Sequence, residues 1–352
     1  MDAREVVLRR LAASGLTGPL RPSPEQVVHD LLAVQSQDVQ PSAWSVAQRT
    51  DGGTEAAVTQ ARDDGRLLRT HVLRTTWHDV RPQDLRWLLA LTAPRVRQQT
   101  TRARGELGLD DEVLATARRA VEPAVAGRAL TRAQVAEVLA GAGLVLDARA
   151  LGYVLMFLEL DAVVCSGVRD RHLHTWVRFD ERVPPAPAPD DPTVELVRRF
   201  LRGHGPAAVQ DLAWWASLRV SDLRRALAAL DDEVRRDEVD GLELWSAADA
   251  PAPPPAPGLQ LVQVYDEHLV AFTASKHLTD PARVVGRRER PYMGVVLLDG
   301  VVVGSWGRTA TATGVTVRVT PLDAPLDVDG LRAAAGAYGA FVGLPAEVVL
   351  EG

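Results

Sequence analysis

Three times along this chain, helical segments with recognisable starts give way to two short β-type runs joined by a turn. That recurrence limits the possible folds more than any single residue does. In the first copy a helix is expected from Ala3 to Ser14, with Gly15 as its stop. The next opens at Ser23-Pro24-Glu25-Gln26, where serine can cap, proline suits the first turn and glutamine stands three residues after the cap. Val27, Val28, Leu31 and Leu32 then form one apolar stripe. Further helices are expected over 42–48 and from the Thr54 cap to Gly65, and the run 67–73 with Thr75-Thr76-Trp77 makes the first hairpin. The second copy starts at the capping-box signal Thr131-Arg132-Ala133-Gln134. It continues with an apolar helix over 148–160 and ends in strands over 162–166 and 172–179. The third has a helix over 193–202, a helix opened by Gly205-Pro206 that ends in Trp214-Trp215, and a helix capped by Ser221-Asp222. Its hairpin spans 234–245 around Asp240-Gly241, the strongest short turn signal. Helices followed by a β-hairpin form the winged-helix pattern, a relative of the helix-turn-helix. The repeat is one of pattern, not of residue identity.

Pro251 to Pro257 holds five prolines in seven residues and reads as a stiff linker. Beyond it, strands are expected over 259–264, 294–298 and 301–306, the last two joined at Asp299-Gly300, with a closing helix over 328–338. The expected fold class is therefore α+β: three tandem winged-helix units followed by a small, mostly β, barrel-like C-terminal domain. The boundaries expected are 1–125, 126–185 and 191–249 for the three units, 250–258 for the linker and 259–352 for the β-rich domain. The first unit includes the connecting helices.

With 352 residues, 46% of them hydrophobic, the chain can bury a large core divided among domains. No stretch is long and apolar enough to cross a membrane, and Met1-Asp2-Ala3-Arg4-Glu5 is no apolar signal segment, so a cytoplasmic protein without a membrane partner is expected. Cys165 is the only cysteine, which excludes an intrachain disulfide and disfavours a cysteine-based metal site. The net charge of −6 argues mildly against nucleic acid, but a local basic surface, not a total, binds phosphate. Arg69, Arg74, His78, Arg81 and Arg86 cluster near the first hairpin, with Arg95, Arg97, Arg102 and Arg104 after them. Arg283, Arg287, Arg288 and Arg290 form a second cluster, and Arg308 lies near the last hairpin. Each cluster reads either as phosphate contacts or as a solvated face. His172 and His174 lie on a hairpin and read as surface residues rather than metal ligands, so no metal and no cofactor are expected.

The stretch Leu31-Leu32-Ala33-Val34-Gln35-Ser36-Gln37-Asp38 carries the most chemistry. Gln35 falls four residues after Leu31, on a stripe that should be apolar, and an unpaired buried amide costs about 1–3 kcal/mol. Residues two apart share a side only in extended chain, so a helix ending near Val34 would let Gln35 and Gln37 face one cavity. Ordinary helix-end glutamines are the bland alternative.

The run Ser23-Pro24-Glu25 … Leu32-Ala33-Val34-Gln35-Ser36-Gln37-Asp38 … Pro41-Ser42-Ala43-Trp44-Ser45 resembles the signature region of the AlkZ-like (YcaQ-type) DNA glycosylases. Arg69-Thr70 … Arg74-Thr75-Thr76-Trp77-His78 is similar to that family's first wing, and Gly205-Pro206 … Trp214-Trp215 to its third winged-helix unit. Tyr265-Asp266-Glu267-His268-Leu269 and Asp299-Gly300 … Gly304-Ser305-Trp306 resemble its C-terminal β domain. Two places depart from the pattern: Ser36 stands where the family usually has an apolar residue, and Val262-Gln263-Val264 where it often has Leu-Pro.

The resemblance implies a monofunctional glycosylase acting on alkylated purines in duplex DNA, with N7-alkylguanine, N3-alkyladenine and interstrand crosslinks as candidate lesions. It implies Gln35 and Gln37 as the catalytic pair holding a water, and Arg69, Arg74, Thr76, His78, Arg288 and Arg308 as DNA-binding residues. A strand-cleaving glycosylase would typically use an amine nucleophile, and Lys276 is the only lysine. A monomer is expected. The alternative is a non-catalytic winged-helix transcription regulator, which would normally dimerise and carry a polar recognition helix. The apolar run 151–160 suits a core better than a DNA groove.

Overall fold

Local signals set most of the element boundaries. Asp2 accepts a hydrogen bond from the Glu5 amide to start the helix Ala3–Ala13, and Gly15 leaves it at φ +73°. Ser23 caps Pro24–Leu31 through the Gln26 amide, while the Gln26 side chain turns to Asp30 at 2.7 Å. Thr131 and Gln134 make a complete capping box at Arg132–Gly141. The apolar helix runs over Ala148–Leu160, capped by Asp147. At the turn between Val234–Val239 and Leu242–Ala247, Asp240 and Gly241 both take positive φ, +51° and +74°, as a two-residue hairpin requires. Two expectations need correction. The helix Val39–Ala47 begins before Ser42 and encloses Pro41 in its first turn, where a missing N–H is harmless. Val220–Leu230 begins after Arg219, so Ser221 and Asp222 lie inside its first turn instead of capping it.

The structure, a computed structural model, describes residues 1–253, 255–285 and 293–351. The chain folds into two compact units: residues 1–59, 193–215 and 219–352 form one, and 60–192 with 216–218 form the other. The architecture is mixed α+β.

The second unit holds the hairpin Leu68–His71/Trp77–Val80, a run of helices, and a three-stranded sheet. In that sheet Thr175–Arg178 lies between Leu130–Thr131 and Val164–Ser166, antiparallel to both. Its core is built from the helices Asp111–Ala124, Arg132–Gly141 and Ala148–Leu160 around Val154, Leu155, Leu158 and Trp176.

The first unit centres on a five-stranded sheet in the order Ala346–Leu350, Val315–Pro321, Val301–Ala310, Gly294–Leu298, Leu259–Gln263. Neighbours are antiparallel except Ala346–Leu350, which runs parallel to Val315–Pro321. Among the described residues the sheet is open, with two edges, and does not close into a barrel. The reason is visible in its burial: residues 301–306 of the strand Val301–Ala310 alternate half-buried and buried, so one face needs a cover. The helix Val328–Val342 supplies it. Tyr338 and Phe341 on that helix meet Trp44 at ring-centroid distances of 5.3 and 5.2 Å, and Tyr338 meets Trp306 at 5.1 Å. The two indoles also donate to the edge strand, Trp44 to the carbonyl of Leu261 and Trp306 to that of Val262, each at 2.9 Å. The helix Val39–Ala47 is thereby pinned to the strand Leu259–Gln263.

Candidate active site

The helix Pro24–Leu31 stops because Leu32 takes φ +64°, and Val34–Gln35 continue as extended chain. Gln35 is buried, Ser36 has no exposure and Gln37 is exposed. The strand ends at Gln35 and Gln37 lies in a bend, so one amide of the pair is buried and the other faces solvent. The Ser36 and Ser42 hydroxyls lie 2.8 Å apart, and Ser42 also donates to the carbonyl of Val39. A small residue at position 36 is what this fully buried contact needs.

A carboxylate from far along the chain holds the segment. The Gln35 backbone amide donates to Glu267 Oε1 at 2.7 Å. The other oxygen, Oε2, receives the Trp215 indole N–H at 2.9 Å and stands 3.2 Å from His204 Nε2. Glu267, Trp215 and His204 are all at most 1% exposed. His204 Nδ1 faces the carbonyl of Phe200 at 3.3 Å, which can only accept, so Nδ1 carries a proton. Gly203 makes this contact reachable: a Cβ there would stand 2.6 Å from the carbonyl oxygen of Asp30, so its helix packs directly on the end of Pro24–Leu31.

The neighbouring Asp266 is likewise buried, in a bidentate pair with Arg49 at 2.7 and 2.9 Å, and accepts from the Ser45 hydroxyl at 2.8 Å. Burial pushes its pKa up, but Arg49 and the hydrogen bonds outweigh that and hold it below the usual carboxylate range. Acids at 266 and 267 thus lock the helix Val39–Ala47 and the Gln35 backbone from one short segment.

The other candidate residues fall in different places. Arg69, Arg74, Thr76 and His78 belong to the second unit. The Arg69 guanidinium lies 4.2 Å over the Trp77 ring. His78 has no exposure; its Nδ1 donates to the carbonyl of Thr76 at 2.9 Å and its Nε2 faces Arg74 Nη2 at 3.3 Å. Burial and then the Arg74 charge push His78 well below the ordinary histidine range, so it is a neutral imidazole accepting from Arg74. Arg69 and Arg74 are mostly buried, and the Thr76 hydroxyl is buried with no partner. Arg308 is half-buried in the first unit, and its charge acts on the Tyr338 phenol, which burial nonetheless pushes up to about 12. Arg288 lies outside the described residues, as do Arg287 and Arg290.

Much of the remaining basic cluster in the second unit is neutralised internally: Arg86 pairs with Asp180, Arg97 with Asp161, Arg102 with Glu106 and Arg104 with Asp111. His174 is not the surface residue its hairpin position suggested. It packs edge-on between Trp77 and Trp176 at 4.8 and 4.5 Å, and burial followed by the Arg69 charge pushes it down to about 3. Sequence reading also missed Glu159. It is fully buried, with His71 Nδ1 at 2.6 Å, the His71 backbone N–H at 2.9 Å and the Trp176 indole N–H at 2.6 Å. A glutamate in the otherwise apolar stretch 154–160 of the helix Ala148–Leu160 was the available signal. For Glu267 and Trp215 the signal was weaker: they sit in segments that carried the family resemblance, but without roles, and His204 falls just before such a segment.

Comparison with known proteins agrees with this architecture. The sequence profile of the family described as "DNA glycosylase AlkZ-like" matches residues 28–341. An interstrand DNA cross-link repair glycosylase of Streptomyces sahachiroi is 26% identical over 329 residues, covering 86% of this chain and 87% of that protein. The solved structure of Streptomyces sahachiroi DNA glycosylase AlkZ superposes with a TM-score of 0.80 at 23% identity, covering 99% of this chain and 100% of that one. This chain belongs to the AlkZ-like DNA glycosylase family.

Proposed function

We propose that this DNA glycosylase is monofunctional and hydrolyses the N-glycosidic bond of alkylated purines in duplex DNA, using a water held by Gln35 and Gln37. The observation that carries the reading is the anchoring of Gln35. Its backbone is fixed at 2.7 Å by a buried carboxylate, and Gln37 follows two residues on, in a bend at the surface. N7-alkylguanine and N3-alkyladenine are cationic and already good leaving groups, so a strong general acid is not needed. Neutral amide carbonyls can accept from the water and turn negative dipole ends toward the oxocarbenium-like sugar; positioning and preorganised dipoles are their contribution. The water oxygen bonds to C1′, the glycosidic electron pair leaves with the base, which departs uncharged, and the water's proton passes to solvent.

The crosslink-repair relative extends the proposed lesion range to interstrand crosslinks. The three helix–hairpin segments are read as winged-helix units that engage the duplex, with Arg69, Arg74, Thr76, His78, Arg288 and Arg308 as the proposed DNA-binding set and a monomer as the working form. No observation favours the regulator alternative, since Leu151 and the run from Val154 to Leu160 are buried.

The test is base release from duplexes carrying N7-methylguanine or N3-methyladenine. Wild type should leave heat-labile abasic sites without nicking the strand. Gln35→Ala and Gln37→Ala should each lower the single-turnover rate on the order of 10²-fold while duplex binding persists. Retention of the wild-type rate in both variants would sink the assignment of the pair. Borohydride trapping of a covalent complex that disappears in Lys276→Ala would sink the monofunctional reading.

A further inference from the structure

A pocket of about 280 Å³ opens in the second unit beside the start of the helix Ala148–Leu160. All of its lining belongs to that unit, and neither glutamine of the proposed pair lines it. Its walls include the rings of Trp77, Tyr153 and Trp176, of which Trp77 and Tyr153 are only half-buried. The His71 imidazole also faces it. His71 Nδ1 donates to Glu159 Oε2 at 2.6 Å, and that carboxylate is fully buried. His71 Nε2 has no partner among the described residues and is not enclosed, so it is the ring nitrogen left for a ligand. Two exposed arginines, Arg132 and Arg149, complete the lining, which holds no carboxylate. Arg132 bonds the Ala148 carbonyl and meets no carboxylate among the described residues. Its guanidinium lies against Gly152, where a Cβ would stand 3.4 Å from Nη2. Arg149 reaches Glu106 only at 3.6 Å, and the other oxygen of that glutamate already holds Arg102 at 2.9 Å.

Concave sites of this kind, with apolar walls and a few convergent polar groups, are where small ligands bind. The three kinds of group narrow the ligand. Water would meet Nε2 and the arginines, but it gains nothing from the apolar rings left open between them. A bare phosphate would answer Arg132 and leave the rings uncovered; an apolar ligand would do the reverse. With Nδ1 donating to a carboxylate, Nε2 of the neutral ring is an acceptor, suited to an amino or imino N–H on a base edge. Aromatic side chains give a base a surface to lie on, and arginine forks suit phosphate oxygens. We infer that this pocket binds a nucleotide, with its base against Tyr153 and beside Trp77, a base-edge N–H on His71 Nε2, and its phosphate at Arg132. The nucleotide is either free in solution or an unstacked residue of a DNA strand.

Calorimetric titration of the full chain with deoxyadenosine monophosphate, deoxyadenosine and an undamaged single-stranded oligodeoxynucleotide separates these sources. A site for free nucleotide gives saturable binding of the monophosphate that the oligonucleotide does not displace. That binding weakens about tenfold in Arg132→Gln and in Tyr153→Ala, the loss of one charge-assisted contact and of one aromatic surface. Deoxyadenosine, which lacks the phosphate, loses affinity only in Tyr153→Ala, and its addition shifts a nitrogen NMR resonance of the His71 ring. A site for a nucleotide of a DNA strand shows instead an oligonucleotide that displaces the monophosphate and suffers the same two losses. Arg132 is exposed, so its variant should fold normally. Tyr153→Leu replaces the alanine variant if that one has a lowered unfolding midpoint. No binding of any probe, or affinities equal in wild type and both variants, overturns the proposal. None of these readouts requires base release, so failure of the glutamine mechanism would leave this test standing.

Discussion

Glu267 and Glu159 occupy equivalent environments in their respective units. Each is a fully buried carboxylate that meets a histidine ring nitrogen, an indole N–H and one backbone amide on an extended segment. At Glu159, burial works to raise the pKa, yet the His71 charge and hydrogen bonds outweigh it and hold the carboxyl below its ordinary range. The amide that Glu267 holds is that of Gln35, so the acid acts on the proposed chemistry through backbone placement. In Glu267→Gln the new NH₂ faces donors where the carboxylate faced them as an acceptor. Disrupting a buried charged network in this way should lower stability by about 3–5 kcal/mol, read from urea unfolding. At a temperature where the variant stays folded, its single-turnover base release should fall while duplex affinity holds. A variant of wild-type stability and rate would refute the positioning role. At this scale the sequence was half legible. Gln35 stood out because an amide replaced an apolar residue four positions after Leu31. Ser36 read as a departure from the family, and only its fully buried contact with Ser42 shows why a small hydroxyl fits there. Glu267 could not be paired with Gln35 from sequence, since 232 positions separate them.

Among elements, those fixed by short-range chemistry were legible. The Thr131 capping box and the Asp240-Gly241 turn depend on neighbours within a few residues, and both form as read. The elements misjudged were those decided by distant packing. The sheet of the first unit was expected to curl into a barrel, but the helix Val328–Val342 covers its apolar face through Tyr338 and Phe341, so no closure is needed. Gly203 shows the same dependence within a helix. Alanine is a better helix former than glycine by about 1 kcal/mol, which alone would make Gly203→Ala stabilising. Its Cβ would instead lie 2.6 Å from the Asp30 carbonyl oxygen and 3.2 Å from Leu31 Cα, both rigid backbone. The overlap should dominate, for a net destabilisation of about 1–3 kcal/mol. Because the displaced turn leads into Gln35, base release should fall in parallel. Thermal unfolding and the single-turnover assay check this; a raised midpoint would show that the helices separate without strain.

For the whole molecule, formal charge proved a poor guide to its electrostatics. Many arginines that read as a basic surface are spent on internal ion pairs, and the groups that tie folding to pH are buried histidines in both units. His78 lies well below its ordinary range through burial and the nearby Arg74. His174 is pushed down to about 3 by burial and Arg69, and His268, in the first unit, down to about 4 by burial. Unfolded, each returns to a pKa of about 6.5. Between that value and the folded one, the unfolded state binds a proton that the folded state refuses. Stability is therefore complete above about pH 6.5 and falls as pH drops below it, by about 1.4 kcal/mol per pH unit for each such histidine. Asp266 and Glu159, held low in the fold, contribute stability above the ordinary carboxylate range and lose it only at lower pH, so their loss adds in a separate, more acid window. Urea titrations at pH 7.5 and 5.5 should thus show a marked loss at the lower pH, with about three protons taken up on unfolding near pH 5.5. His268→Gln should reduce that uptake by about one proton without changing the more acid limb. Equal stability at the two pH values would mean that these imidazoles are protonated in the folded protein, which would also undo the assignment of His78 as an acceptor from Arg74.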